Sequence, residues 1–92
     1  MTRVFQTPTF KRTIKRLRGE QKVALDAAIR AVLNAPTLGD AKVGDLAGVR
    51  VHKFRDHTHM VLMAYAYSEA DDAITLLALG SHENFYRDLK RG

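Results

Sequence analysis

The chain of 92 residues has no cysteine, no tryptophan and only two prolines. Without cysteine there is no disulfide, no thiolate nucleophile and no thiolate-bound zinc, a usage that fits the reducing cytoplasm, the expected location. The longest apolar run, Met60–Tyr67, falls far short of the roughly 20 residues a spanning helix needs. No signal peptide is expected, because Met1–Gln6 leads directly into the basic run Lys11–Arg18 and not into an apolar segment. Motifs for nucleotide and metal chemistry are missing as well. There is no Walker loop, no GxGxxG and no HExxH, and His52, His57, His59 and His82 lack zinc spacing. Gly80-Ser81-His82 does not fit a serine-nucleophile elbow. The chain is therefore expected to work without metal or cofactor.

What the chain does have is positive charge and a change of hydrophobic period. Lysine and arginine number 15 against 10 acids, a net charge of +5 with histidine neutral. A charge of this size also serves solubility, but the bases cluster in Lys11–Arg18, Arg50–Arg55 and Arg87–Arg91. That clustering points to an anionic, phosphate-rich partner and to a continuous patch. At this length one domain, residues 1–92, is expected.

Arg3–Gln6 reads as a short strand. Thr7 or Thr9 can cap a following helix with Pro8 in its first turn. Phe10, Ile14 and Leu17 recur at i, i+4 and i+7, while Lys11, Arg12, Lys15, Arg16 and Arg18 fill the opposite face. Gly19 breaks the chain before a second helix, Glu20–Asn34, which Pro36 stops. Residues 36–48 read as a loop anchored by Leu38, Val43 and Leu46. The period then becomes two. Val49 and Val51 alternate with Arg50 and His52, a half-buried strand with Arg50 and His52 on one face and with Lys53 and Arg55 in line with Val51 on the other. One reading of those cations is an edge protected against pairing; the other is a phosphate site. Asp56-His57-Thr58 reads as a turn, Met60–Tyr67 as a central strand covered on both faces, and Ala73–Leu79 as a further strand ended by Gly80. The fold class is α+β: a short N-terminal strand, a helical hairpin, a three-stranded antiparallel meander and a short C-terminal helix from about Asn84.

The tail Ser81-His82-Glu83-Asn84-Phe85-Tyr86-Arg87 gathers an imidazole, an amide, two aromatics and a guanidinium. Phe85 and Leu89 read as core anchors. His82, Tyr86 and Arg87 suit RNA, through proton transfer, base stacking and phosphate binding respectively.

Two runs carry a resemblance. Asp45-Leu46-Ala47-Gly48-Val49-Arg50-Val51-His52-Lys53-Phe54 and Leu76-Leu77-Ala78-Leu79-Gly80-Ser81-His82-Glu83-Asn84-Phe85-Tyr86-Arg87-Asp88-Leu89 resemble the RelE/ParE superfamily of bacterial type II toxins, over nearly the whole chain. The resemblance implies an antitoxin partner with an acidic or amphipathic segment. In the RelE-like and YafQ-like branches it implies metal-free cleavage of mRNA on the ribosome by 2′-OH attack. In the ParE-like branch it implies inhibition of DNA gyrase without nuclease activity. Gly80-Ser81-His82 with Tyr86 is similar to the YafQ-like arrangement of a histidine after the last strand. In the endoribonuclease reading, the catalytic residues are His82, Lys53, Tyr86 and Arg50, and Arg55, Arg87, Lys11, Arg12, Lys15 and Arg16 bind phosphate, the helix residues on ribosomal RNA. One departure stands out: the arginine that RelE carries on its central strand has no counterpart in Met60–Met63. A general RNA- or DNA-binding module is a third reading.

Overall fold

A computed structural model describes residues 2–56, 59–81 and 85. Among them the order of elements is β1 (Arg3–Gln6), α1 (Pro8–Ile14), α2 (Glu20–Asn34), β2 (Asp40–Ala41), a 3-10 turn at Gly44–Leu46, β3 (Arg50–Arg55), β4 (Met60–Ser68) and β5 (Ala73–Gly80).

Thr7 starts α1. Its hydroxyl accepts from the Phe10 N–H at 3.1 Å, with Pro8 in the first turn, where a missing N–H costs nothing. Phe10 is fully buried, and Ile14 and Leu17 pack beside it. Burying a side chain of this size contributes about 1.5–3 kcal/mol. Gly19 takes φ +52, a left-handed conformation that glycine adopts without penalty, and α2 begins at the next residue. Leu25, Ala28 and Val32 form the buried stripe of α2.

The five strands are ordered β1-β5-β4-β3-β2. The expected antiparallel meander is β3–β4–β5, with β4 in the centre and residues 62–65 all buried. β1 joins the far edge parallel to β5, pairing Val4 with Ile74 and Gln6 with Leu76. Both helices lie on one face, over a core of Phe10, Leu25, Ala28, Val32, Met63, Tyr65, Ile74 and Leu76. A smaller cluster on the other face joins Val51, Leu62, Ala64 and Ala78 to Phe85 of the tail. We call this second face the open face. The expected C-terminal helix lies outside the described residues except for Phe85, which is buried as an anchor should be. Leu89 also lies outside them.

β4 and β5 fall out of step once. Ala64 pairs with Ala78 but Tyr65 pairs with Leu76, so Leu77 is an extra residue on β5. In a regular strand successive carbonyls point to opposite neighbours. At this bulge both serve Thr7: Leu76 O accepts its backbone N–H at 3.1 Å and Leu77 O accepts its hydroxyl at 2.9 Å. The irregularity in the sheet thereby holds the start of α1.

The loop after α2 corrects one expectation. Val43 is 86% and Leu38 48% exposed, so neither anchors the loop. Polar contacts do so instead. The buried Tyr65 hydroxyl donates to Pro36 O at 2.7 Å and accepts from the Gly39 N–H at 2.9 Å. Held there, residues 40–41 pair with β3 as β2, opposite Val51 and Arg50.

Candidate functional site

The side-chain alternation of β3 divides the sequence-predicted cations between two faces. Val51, Lys53 and Arg55 point to the open face; Arg50, His52 and Phe54 point toward the helices. Lys53 and Arg55 are exposed and about 7 Å apart along the strand, so their long side chains can reach one phosphodiester. Their cross-strand partners are Leu62 and Met60. Leu62 in turn pairs with Gly80, the last residue of β5. The row Lys53–Leu62–Gly80 thus sets the cationic end of β3 two strands from the point where the chain leaves the sheet. At normal strand spacing that is about 10 Å. The floor between them is apolar: Leu62 is fully buried and Phe85, 3% exposed, packs over the same cluster. Phe85 donates its N–H to Ser81 O at 3.1 Å.

Arg50 is not part of this group. Its guanidinium Nη1 donates to Thr37 O at 3.2 Å and Gly39 O at 2.9 Å, on the helix side of the sheet. These contacts make Arg50 a holder of the loop. Lys11, Arg12, Lys15 and Arg16 are exposed on the outer side of α1 and the turn that follows it. They occupy the layer opposite Lys53 and Arg55. The single continuous basic patch suggested by the sequence is therefore split by the sheet, as far as its first two clusters are concerned. His82, Tyr86 and Arg87 lie outside the described residues.

Two histidines can be placed. His52 stacks on Phe54 with ring centroids 6.1 Å apart, and burial lowers its pKa below the ordinary 6.5. It faces the helices and not Lys53. His59 closes the β3–β4 turn: its backbone N–H donates to the Asp56 carboxylate at 2.9 Å, and its Nδ1 lies 3.6 Å from the same oxygen. The Lys53 and Arg55 rows therefore offer positive charge but no imidazole or carboxylate among the described residues. They can bind and stabilise an anion; proton transfer would have to come from elsewhere. Among the described residues no group of three or more His, Asp or Glu could hold a metal ion, and no helix is long and apolar enough to cross a membrane.

The Tyr65–Gly39–Arg50 arrangement was missed from sequence. A signal existed, since a tyrosine inside an apolar central strand needs a partner for its hydroxyl.

Comparison with solved structures fits this architecture. The toxin–antitoxin complex RelBE of Escherichia coli contains a chain that superposes with a TM-score of 0.75 at 13% identity, covering 90% of this chain and 99% of that one. The isolated RelE toxin of the same organism gives 0.71 at 14% identity, over 99% and 98%. A RelBE-type toxin–antitoxin complex of Mycobacterium tuberculosis gives 0.65 at 16% identity, over 88% and 98%. No curated protein matches the chain. The family described as the ParE-like toxin of type II bacterial toxin–antitoxin systems matches residues 4–90. With that match over nearly its whole length, and with the helical hairpin packed on a five-stranded sheet, the chain belongs to the ParE-like toxin family within the RelE/ParE superfamily.

Proposed function

We propose that this toxin is a ribosome-dependent, metal-independent mRNA endoribonuclease that inhibits translation in the cytoplasm and is neutralised by a cognate antitoxin. The observation that carries the reading is the Lys53–Leu62–Gly80 row. It sets Lys53, with Arg55 next along the same face, two strands from the end of β5, after which Ser81-His82 follow in sequence.

Cleavage by this route needs three groups. A base takes the proton of the ribose 2′-OH as its oxygen attacks phosphorus. Cations hold the extra negative charge of the five-coordinate phosphate. An acid protonates the 5′-oxygen as the P–O5′ bond breaks. Lys53 and Arg55 fill the cationic role, His82 the acid or base role, Tyr86 orients or stacks the base, and Arg87 clamps the backbone. Arg50, assigned to catalysis from sequence, holds the loop in this reading. The antitoxin partner is supported by the neighbours from E. coli and M. tuberculosis, which are toxin–antitoxin complexes; its acidic or amphipathic segment would cover cationic surface. The test is purified chain added to translating ribosomes: discrete mRNA fragments are expected, and intact mRNA sinks the assignment.

A second reading is a ParE-like gyrase inhibitor. The apolar central strand favours it: Leu62, in the middle of the row, is fully buried, and the central-strand arginine of RelE has no counterpart in Met60–Met63. Loss of supercoiling by gyrase, with mRNA intact, selects this reading.

A further inference from the structure

β1 is an edge strand whose outer rim is open. In a parallel pair, alternate residues of a strand bond to the neighbour. The N–H of Arg3 reaches Asp72 O and that of Thr7 reaches Leu76 O, so residues 3, 5 and 7 serve β5. The N–H and C=O groups of Val4 and Gln6 therefore turn away from the sheet. All four strand residues are exposed. Among the described residues six large apolar side chains are exposed, and Val4 and Phe5, at 39% and 49%, are the only two adjacent in sequence. Val4 pairs with Ile74 of the core and lies on the side of the helices; Phe5, beside Thr75, lies on the open face.

Proteins guard edge strands with charge, proline, a bulge or shortness. The opposite edge is guarded in this way: β2 has two residues, and Gly44 at φ +68 turns the chain soon after it. β1 lacks such a guard. Its single charge, Arg3, is drawn back onto its own chain. Nη2 of Arg3 donates to Asp71 O at 3.4 Å, and its guanidinium lies 5.6 Å from the centre of the Phe5 ring.

We infer that β1 is the interface of a homodimer, pairing antiparallel with β1 of a second copy to join two five-stranded sheets into one. The strand is complementary to itself. Its outward residues are two apart, so Val4 pairs with Gln6 of the second copy and Gln6 with its Val4, each pair exchanging two backbone hydrogen bonds. That register places Phe5 on the two-fold axis, against Phe5 of the second copy in the close, non-hydrogen-bonded position. Arg3 then faces Thr7, and no like charges stand opposite each other. The axis is perpendicular to the sheet. Both helical hairpins therefore stay on one side and both Lys53–Arg55 rows on the other, about 34 Å apart across seven strand spacings. The contact engages far fewer than the roughly 20–30 residues a side of a standard interface, and each copy carries a net charge of +5. The dimer is weak for both reasons, and salt, which screens the repulsion, strengthens it.

The experiment is sedimentation equilibrium of the full chain from about 20 µM to about 1 mM, a range suited to an interface below standard size. A monomer–dimer equilibrium is expected, with Kd on the order of 10⁻⁴ M and a Kd lower at 0.3 M than at 0.05 M KCl, by roughly threefold. Val4→Pro removes an N–H that β5 does not use, so it should raise Kd at least about tenfold while circular dichroism and melting temperature match wild type. Phe5→Lys sets two like charges against each other on the axis and should do the same. A chain that stays monomeric throughout overturns the dimer; if Val4→Pro then weakens binding of the cognate antitoxin, the edge belongs to that partner. Mass growing past two copies overturns the closed pair in favour of head-to-tail stacking. Undiminished dimer in Phe5→Lys and in a folded Val4→Pro overturns the β1 interface. None of these readouts involves mRNA or gyrase, so the outcome is independent of the proposed function.

Discussion

Arg50 and Tyr65 are direct cross-strand partners on β3 and β4 and hold the same residue, Gly39, from its two backbone groups. Tyr65 takes the N–H through its hydroxyl, and Arg50 takes the carbonyl through its guanidinium. The loop between α2 and β3 is therefore fastened to the sheet at one peptide position. Tyr65→Phe removes the acceptor of a buried N–H and the donor to Pro36 O. A loss of about 1–3 kcal/mol of unfolding free energy is expected in urea titrations.

Gly39 itself has no room for a side chain. A Cβ there would lie 2.8 Å from the Tyr65 hydroxyl oxygen and 2.9 Å from its ring. Gly39→Ala must displace a fully buried tyrosine, and about 1–3 kcal/mol of destabilisation is expected. In Tyr65→Phe the hydroxyl clash is gone, so the double variant should cost less than the sum of the single ones. Strict additivity in thermal melts would contradict this packing.

Thr7 caps α1 and reaches the sheet through Leu77 O. Thr7→Ala loses both bonds and is expected to lower stability by about 1 kcal/mol or somewhat more. Thr7→Ser keeps the oxygen and should recover most of that loss. Chemical denaturation of the three proteins side by side decides it.

His52 gives a pH dependence of definite sign. Its folded pKa lies below the unfolded value of 6.5 because burial disfavours the charged ring. The unfolded chain therefore binds the proton more readily, and stability from this group is complete above pH 6.5. It falls as pH drops from there through the lower folded pKa. The urea midpoint should decrease between pH 7.5 and pH 5, and His52→Gln should make that decrease smaller. An identical decrease in the variant would remove His52 as its source.

For the proposed cleavage, Lys53→Ala is expected to slow mRNA cleavage on ribosomes about 10²-fold, the usual effect of losing one charge at a developing anion. His82→Ala is expected to cost about 10²–10⁴-fold. Both should fold normally. Undiminished cleavage by either variant removes that residue from the mechanism.

The sequence was most legible where local signals agreed. α2 spans Glu20–Asn34 as expected, because Gly19 and Pro36 bound a clear apolar stripe. The division of β3 into a Val51–Lys53–Arg55 face and an Arg50–His52–Phe54 face followed from its period of two. The pairing of β1 beside β5 was not legible, since a four-residue strand with every residue exposed carries no mark of its neighbour. β2 is two residues held by backbone bonds, which leave no trace in side-chain pattern. The same reason hid the role of Arg50: its partners are carbonyls, and every residue has one. Charge clustering along the chain suggested one patch, but a strand and a helix on opposite sides of a sheet cannot share a surface.

Leu77 is a surplus residue whose loss would leave the faces of the sheet intact. Ala64 and Ala78 share the open-face cluster, and Tyr65 and Leu76 share the core under the helices, so cross-strand partners face alike on either side of the bulge. Leu77 packs against the same open-face cluster as Ala78, which puts two successive residues of β5 on one side. Removing Leu77 would therefore let β4 and β5 close flush with every remaining side chain on its present face. What would go is the second carbonyl offered to Thr7, so the seam between sheet and helical hairpin is written in one residue that the sheet itself does not need.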